Sequence, residues 1–372
     1  MQFKVLKLAV LLLFSLIFSS YAKASPAQPE QSESQADLAC FKPNHKTVDM
    51  FHYGKGDYEY WLFEPADPKP YTAPLIVFNH GWMSTSPKPY GAWIDHIVKR
   101  GNIVLFPVFH NGIISDPRDF TYNVIQVIKN AISKLTTKKV HVNPELNRTA
   151  FIGSSAGGII AANLAAVADE EGIPVPGAVM CVQPGKTWQP ADFLSIPLED
   201  LSKIDPKTLL LTVVGDRDTV VKDIDAKRIF EESHNVPFSN KDYIILMSDN
   251  NGMPPLLANH YTSSASLQQY GSEIFANHHT SSASLQQYGS EIFRTGKIKS
   301  ITIFNPAIFD DYMDDIDALG WYCSTKFFDG LCDAAFYGKN KKYALGNTPE
   351  QKFMGKWSDG KSVTKPIITN YP

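Results

Sequence analysis

The chain has 372 residues, of which 44% are apolar and 12% aromatic, enough material for one large α/β domain and a poor match to two small ones. A formal charge of −3 leaves nothing that calls for nucleic acid as a partner.

Lys4 and Lys7 precede an apolar run from Leu8 to Phe18, and Ala22-Lys23-Ala24 supplies small residues where a signal peptidase reads. Residues 1–24 are therefore expected to be a cleavable secretory signal. The run is eleven residues long, and a bilayer span needs about 20, so no stable membrane anchor is expected. The absence of a cysteine at the cleavage site argues against a bacterial lipoprotein, and removing Lys4, Lys7 and Lys23 makes the mature charge −6. Residues 25–44 are rich in Ser, Gln, Pro and Ala and read as a flexible leader with no fold.

From residue 45 to 372 a single domain is expected. The pattern predicts strands over Tyr58–Phe63 and Leu75–Asn79, a helix over Tyr90–Arg100, a strand over Ile103–Val108 and a helix over Thr121–Leu135. Thr149–Ile152 then reads as a strand, Gly158–Ala166 as a close-packing helix, and Gly177–Val182, Thr208–Gly215 and Tyr243–Ser248 as further strands. Strands alternating with helices predict a doubly wound, mostly parallel sheet flanked by helices. The short stretch after Val182 leaves room for a small lid or none.

Four cysteines in an oxidising compartment permit two disulfides, and Cys323 with Cys332 is the expected pair; Cys40 and Cys181 remain, the latter equally a buried free thiol. Asn147-Arg148-Thr149 is a glycosylation sequon, meaningful only in a eukaryotic secretory pathway.

Residues 258–293 are an 18-residue tandem duplication in which only Tyr261 and His279 differ between copies. Such near-identity marks a recent event; a solenoid needs three or more diverged repeats. Each copy reads as a loop followed by a short helix.

The chemistry centres on Gly153-Ser154-Ser155-Ala156-Gly157, a Gly-x-Ser-x-Gly turn between a strand and a helix. Such a turn lifts a serine hydroxyl above the sheet and makes Ser155 the candidate nucleophile. A hydroxyl attacks only when a base takes its proton and an acid orients the base. Asp218 follows the strand that ends at Gly215 and is the candidate acid, with Asp216 assigned to a turn. The base follows the next strand, as His260 or its duplicate His278. Loop-closure entropy separates them by only about 0.4 kcal/mol; His260 is favoured because the first copy keeps its original join to the strand. The amides of Trp82 and Ala156 are the candidate oxyanion donors. Trp82, Tyr90, Trp93 and Trp188 are candidate walls of an acyl site, His80 is read as a turn residue, and His96, His110, His141 and His234 as surface or satisfied core. Neither histidine copy has ligands spaced for a metal, and no metal or cofactor is expected.

Asn79-His80-Gly81-Trp82, the Ser155 turn, Gly215-Asp216-Arg217-Asp218-Thr219-Val220 and a following histidine together resemble the α/β-hydrolase superfamily. The chain looks most like secreted esterases of the dienelactone hydrolase, platelet-activating-factor acetylhydrolase and polyester hydrolase neighbourhood. The resemblance covers roughly Val48 to Ser248 and implies a secreted or periplasmic serine hydrolase. It would form an acyl-enzyme, use no cofactor, and cleave a small-molecule or lipid or polymer ester. A peptidase or thioesterase on the same fold, or an inert binding protein on a hydrolase scaffold, are the alternatives. Two departures stand out: the His-Gly-Trp turn lacks the His-Gly-Gly-Gly run of some lipases, and the histidine region is duplicated.

Overall fold

The computed structural model describes residues 25–29, 42–110, 115–185, 195–264 and 317–369. The expected signal, Cys40, Trp188, His278 and the second copy of the repeat lie outside these residues.

Among the described residues, nine strands form one sheet in the order β1-β2-β4-β3-β5-β6-β7-β8-β9. They are β1 (Thr47–Tyr53), β2 (Glu59–Ala66), β3 (Thr72–Asn79), β4 (Ile103–Val108), β5 (Asn143–Ser154), β6 (Ala178–Val182), β7 (Leu209–Gly215), β8 (Lys241–Leu246) and β9 (Ile367–Thr369). The run from β4 through β8 is parallel, whereas β1, β2 and β9 pair antiparallel at the two edges. The helices are α1 (Gly91–Lys99), α2 (Phe120–Thr137), α3 (Ala156–Glu171), α4 (Ile224–Glu232), α5 (Ala318–Trp321), α6 (Phe328–Tyr337) and α7 (Pro349–Lys352), with a π-helical stretch, Tyr322–Phe327, joining α5 to α6.

The central strands are apolar on both faces because both faces are covered. In β3, Ile76 and Phe78 pack with Trp93 and Ile97 of α1 and with Phe328 and Leu331 of α6. Leu75 and Val77 point the other way, into α2 and α3 through Val124, Ile128, Ile160 and Leu164. Period-two alternation thus divides one strand between two cores, and the chain is a three-layer, doubly wound α/β protein. No helix among the described residues is long and apolar enough to cross a membrane.

The strand order reverses at β3 and β5. From β3 the chain crosses through α1 to β4 on one side, then returns through α2 to β5 on the other. The carboxyl ends of these neighbours form the topological switch point, the position at which open α/β sheets bind their ligands.

Two local expectations change. Residues 25–29 are not a free leader: Pro26 O accepts the Met253 N–H at 3.1 Å, and Ala27 exchanges hydrogen bonds with Ser358. Low hydrophobicity did not prevent this docking because the main chain supplies the bonds. Cys323 and Cys332, the expected disulfide, are buried free thiols. They lie nine residues apart on one continuous helical rod, which separates them by about 13 Å along its axis, beyond disulfide reach. Burial pushes the Cys323 thiol up to about 12. Cys181 is likewise a buried free thiol, in β6.

Candidate active site

Between β5 and α3 the backbone turns within one residue. Ser155 has φ 55° and ψ −122°, a conformation that side chains other than glycine avoid. The tightness explains its flanking glycines: a Cβ on Gly153 would overlap the Gly157 carbonyl, and one on Gly157 would overlap the carbonyl of Asn79. The turn is held by Ser155 N–H donating to Val182 O at 2.9 Å and Gly158 N–H donating to Ser155 O at 2.9 Å. Ser155 therefore sits at the amino end of α3, whose first N–H groups have no carbonyl inside the helix to meet. Ala156 carries the first of them.

The structure brings the three sequence-predicted residues together. His260 Nε2 lies 3.1 Å from Ser155 Oγ, and His260 Nδ1 lies 2.8 Å from Asp218 Oδ2. With a proton on Nδ1 donated to the carboxylate, Nε2 is the acceptor that faces the hydroxyl. The Asp218 side chain is fully buried and that of His260 is 10% exposed. Asp218 stays bonded because its other oxygen accepts the N–H groups of Val220 and Val221 at 2.9 and 3.1 Å. Asp216 takes the role of a turn residue, accepting from the Ser248 N–H and hydroxyl at 3.1 and 2.6 Å.

His260 is reached through a bridged hairpin after β8, Asp249 opposite Leu256. This segment is anchored by the burial of Leu256 and Ala258 in the core and by polar bonds. Ala258 N–H donates to Ser248 Oγ at 3.0 Å, Ala258 O accepts the Arg217 N–H at 2.9 Å, and the Asn259 side chain accepts the Tyr261 N–H at 2.8 Å. Ser263 Oγ reaches Ser154 Oγ at 3.4 Å, tying the first copy to the Ser155 turn. Tyr261 packs edge-on to His260, and burial followed by the Asp218 charge raises its phenol above the usual range.

Gln183, at the end of β6, is a site residue that sequence reasoning missed. Its side-chain amide donates to the Asn259 carbonyl, one residue before His260. Its backbone holds φ 48°, and its N–H donates to Val213 O at 2.7 Å. The available signal was a polar residue closing an otherwise apolar strand beside the one that leads into Ser155.

The loop after β3 lies against the elbow. A Cβ on Gly81 would stand 3.4 Å from the Ser155 Cβ. The Gly81 carbonyl accepts the Ser84 N–H at 3.1 Å and lies 2.7 Å from His80 Nδ1. Trans geometry then aims the Trp82 N–H, on the opposite edge of the same peptide plane, the other way. His80 is a fully buried turn residue, stacked 4.0 Å from Phe109; burial, with His110 adding to it, depresses its pKa strongly.

The expected aromatic walls separate. Trp93 is core, edge-on to Phe78 at 5.1 Å, and Tyr90 is buried with its hydroxyl accepting the Gly81 N–H at 2.8 Å. Trp82 is partly buried, 5.2 Å from Phe120. Of the remaining histidines, His96 pairs with Asp329 at 2.6 Å, His141 with buried Glu64 at 2.5 Å, and His234 is exposed. His110 is buried beside the Trp82 loop. No cluster of three metal-ligating side chains occurs among the described residues.

A nucleophile, a base and an orienting acid in hydrogen-bonded series, with main-chain donors beside them, can perform acyl transfer. No family model and no curated protein matches the chain.

Proposed function

We propose that the chain is a serine hydrolase of carboxylic esters with the α/β-hydrolase fold, acting in a secreted or periplasmic setting. The observation that carries this reading is the bonded series Ser155–His260–Asp218, at 3.1 and 2.8 Å.

Ser155 Oγ attacks the ester carbonyl carbon as His260 Nε2 takes its proton, and the carbonyl oxygen becomes an oxyanion facing the amides of Trp82 and Ala156. Asp218 stabilises the imidazolium. The tetrahedral species collapses, His260 returns the proton to the departing alcohol, and an ester to Ser155 remains. Water, deprotonated by His260, attacks that acyl group; a second collapse releases the acid and restores the hydroxyl.

The substrate in this reading is a small-molecule, lipid or polymer ester. The triad does not itself select the acyl group, so a peptidase or thioesterase is the neighbouring reading. An inert binding scaffold fits less well, because an imidazole displaced by the duplication would not lie 3.1 Å from the hydroxyl. Turnover of a short p-nitrophenyl ester, abolished by Ser155→Ala, is the direct test. Retained turnover in that variant defeats the assignment, and a panel of ester, thioester and aminoacyl-amide substrates separates the enzyme classes.

A further inference from the structure

Four consecutive amides run through the loop after β3, and three of them are occupied. Gly81 N–H donates to the Tyr90 hydroxyl at 2.8 Å, Met83 N–H to His110 Nε2 at 3.2 Å, and Ser84 N–H to Gly81 O at 3.1 Å. Met83 holds φ 65°, a left-handed conformation that residues other than glycine seldom take. Neither side chain is a bystander of flexible surroundings. Tyr90 is 3% exposed and tilts 5.0 Å from Phe78, with Ser84 and Ser154 as further partners of its phenol. His110 is fully buried and stacks 5.1 Å from Phe120.

We propose that Tyr90 and His110 are positioning residues that occupy the amides on either side of Trp82, so that the Trp82 N–H is the one aimed at the developing oxyanion. The inference rests on the serine-hydrolase reading above. Tyr90 comes from the start of α1 and His110 from the end of β4, so two rigid elements grip the loop from different directions. Neither touches the substrate. Without the Tyr90 hydroxyl the buried Gly81 N–H would need another acceptor, and rotating its peptide to find one would tilt its neighbour. The His110 bond requires an unprotonated Nε2, hence a proton on Nδ1. Burial favours that neutral ring, with its pKa lowered to about 4.

The test compares wild type with Tyr90→Phe, His110→Leu and His110→Gln, the last keeping an acceptor at similar reach. The readouts are kcat and KM on a p-nitrophenyl ester, Ki for a trifluoromethyl ketone that adds Ser155 as a tetrahedral mimic, and the melting temperature. Tyr90→Phe and His110→Leu should each lower kcat roughly tenfold or more, with KM within about twofold, given 10²–10³ for a lost oxyanion donor. Ki for the ketone should weaken by the same factor, and His110→Gln should recover most of the loss. Unchanged kcat in both deletions overturns the inference, as does a loss in kcat unaccompanied by weaker ketone binding. If Tyr90→Phe does not fold, the His110 pair decides alone. A wild type that neither turns over ester nor labels at Ser155 with a fluorophosphonate defeats the hydrolase reading and this inference with it. A labelled, active wild type with indifferent variants defeats only the inference.

Discussion

Gly215 and Ala258 touch backbone to backbone: a Cβ on Gly215 would overlap the Ala258 carbonyl oxygen, the atom that also accepts the Arg217 N–H. The strand end that leads to Asp218 and the segment that carries His260 are therefore in register only while residue 215 has no side chain. Gly215→Ala should push the base away from Ser155. We expect at least a tenfold loss of kcat and a destabilisation of about 1–3 kcal/mol, the usual effect of overpacking. Urea unfolding and ester turnover check both, and an unaffected kcat would contradict the coupling.

Ser155 sits in backbone strain that glycine would not feel. Ser155→Gly and Ser155→Ala should both be inactive, yet the glycine variant should be the more stable by about 1 kcal/mol, because a left-handed conformation costs a side-chain-bearing residue roughly 1–2 kcal/mol. Equal unfolding midpoints in urea would mean that the elbow at φ 55° is not strained.

All the bonds described around His260 are made by the first copy of the duplication. His260→Ala should thus lower kcat by about 10³ or more, the scale on which triad members act. His278→Ala, and deletion of residues 276–293, should leave turnover within about threefold. If only the double histidine variant loses activity, the two copies substitute for each other.

His110 makes stability depend on pH in a defined direction. Its folded pKa of about 4 lies below the ordinary value of 6.5, so the unfolded chain binds the proton more readily. Stability is complete above pH 6.5 and falls as the pH drops toward 4, by at most roughly 3 kcal/mol from this group. His110→Gln should flatten that part of the profile, measured by urea unfolding at pH 7 and pH 4.5. An identical slope in the variant would place the acid sensitivity elsewhere, His80 being the next buried imidazole.

The alternation of strands and helices was legible because buried parallel strands read as apolar runs between turn residues; the expected bounds of Ile103–Val108 coincide with β4. Ser155, Asp218 and His260 were legible because the expected order of a serine, an acid and a histidine, each after a strand end, singles them out in the sequence. Gln183 and His110 were not, since what singles them out is a bond to the main chain of a segment distant in sequence. The Cys323–Cys332 pairing failed for a related reason: nearness in sequence becomes separation once the chain is helical. Edge strand β1 mixes Asp49 and His52 with apolar residues and is only half-buried, so its pattern carried little signal.

The members of the site are also spread in time. Ser155 and His260 are 105 residues apart, so a ribosome adding about 5–20 residues per second produces the serine some 5–20 s before its base exists. In the hydrolase reading proposed above, the nascent chain therefore carries the Ser155 turn before its partner exists, and the hydroxyl can meet an imidazole only once the segment that follows β8 has been made.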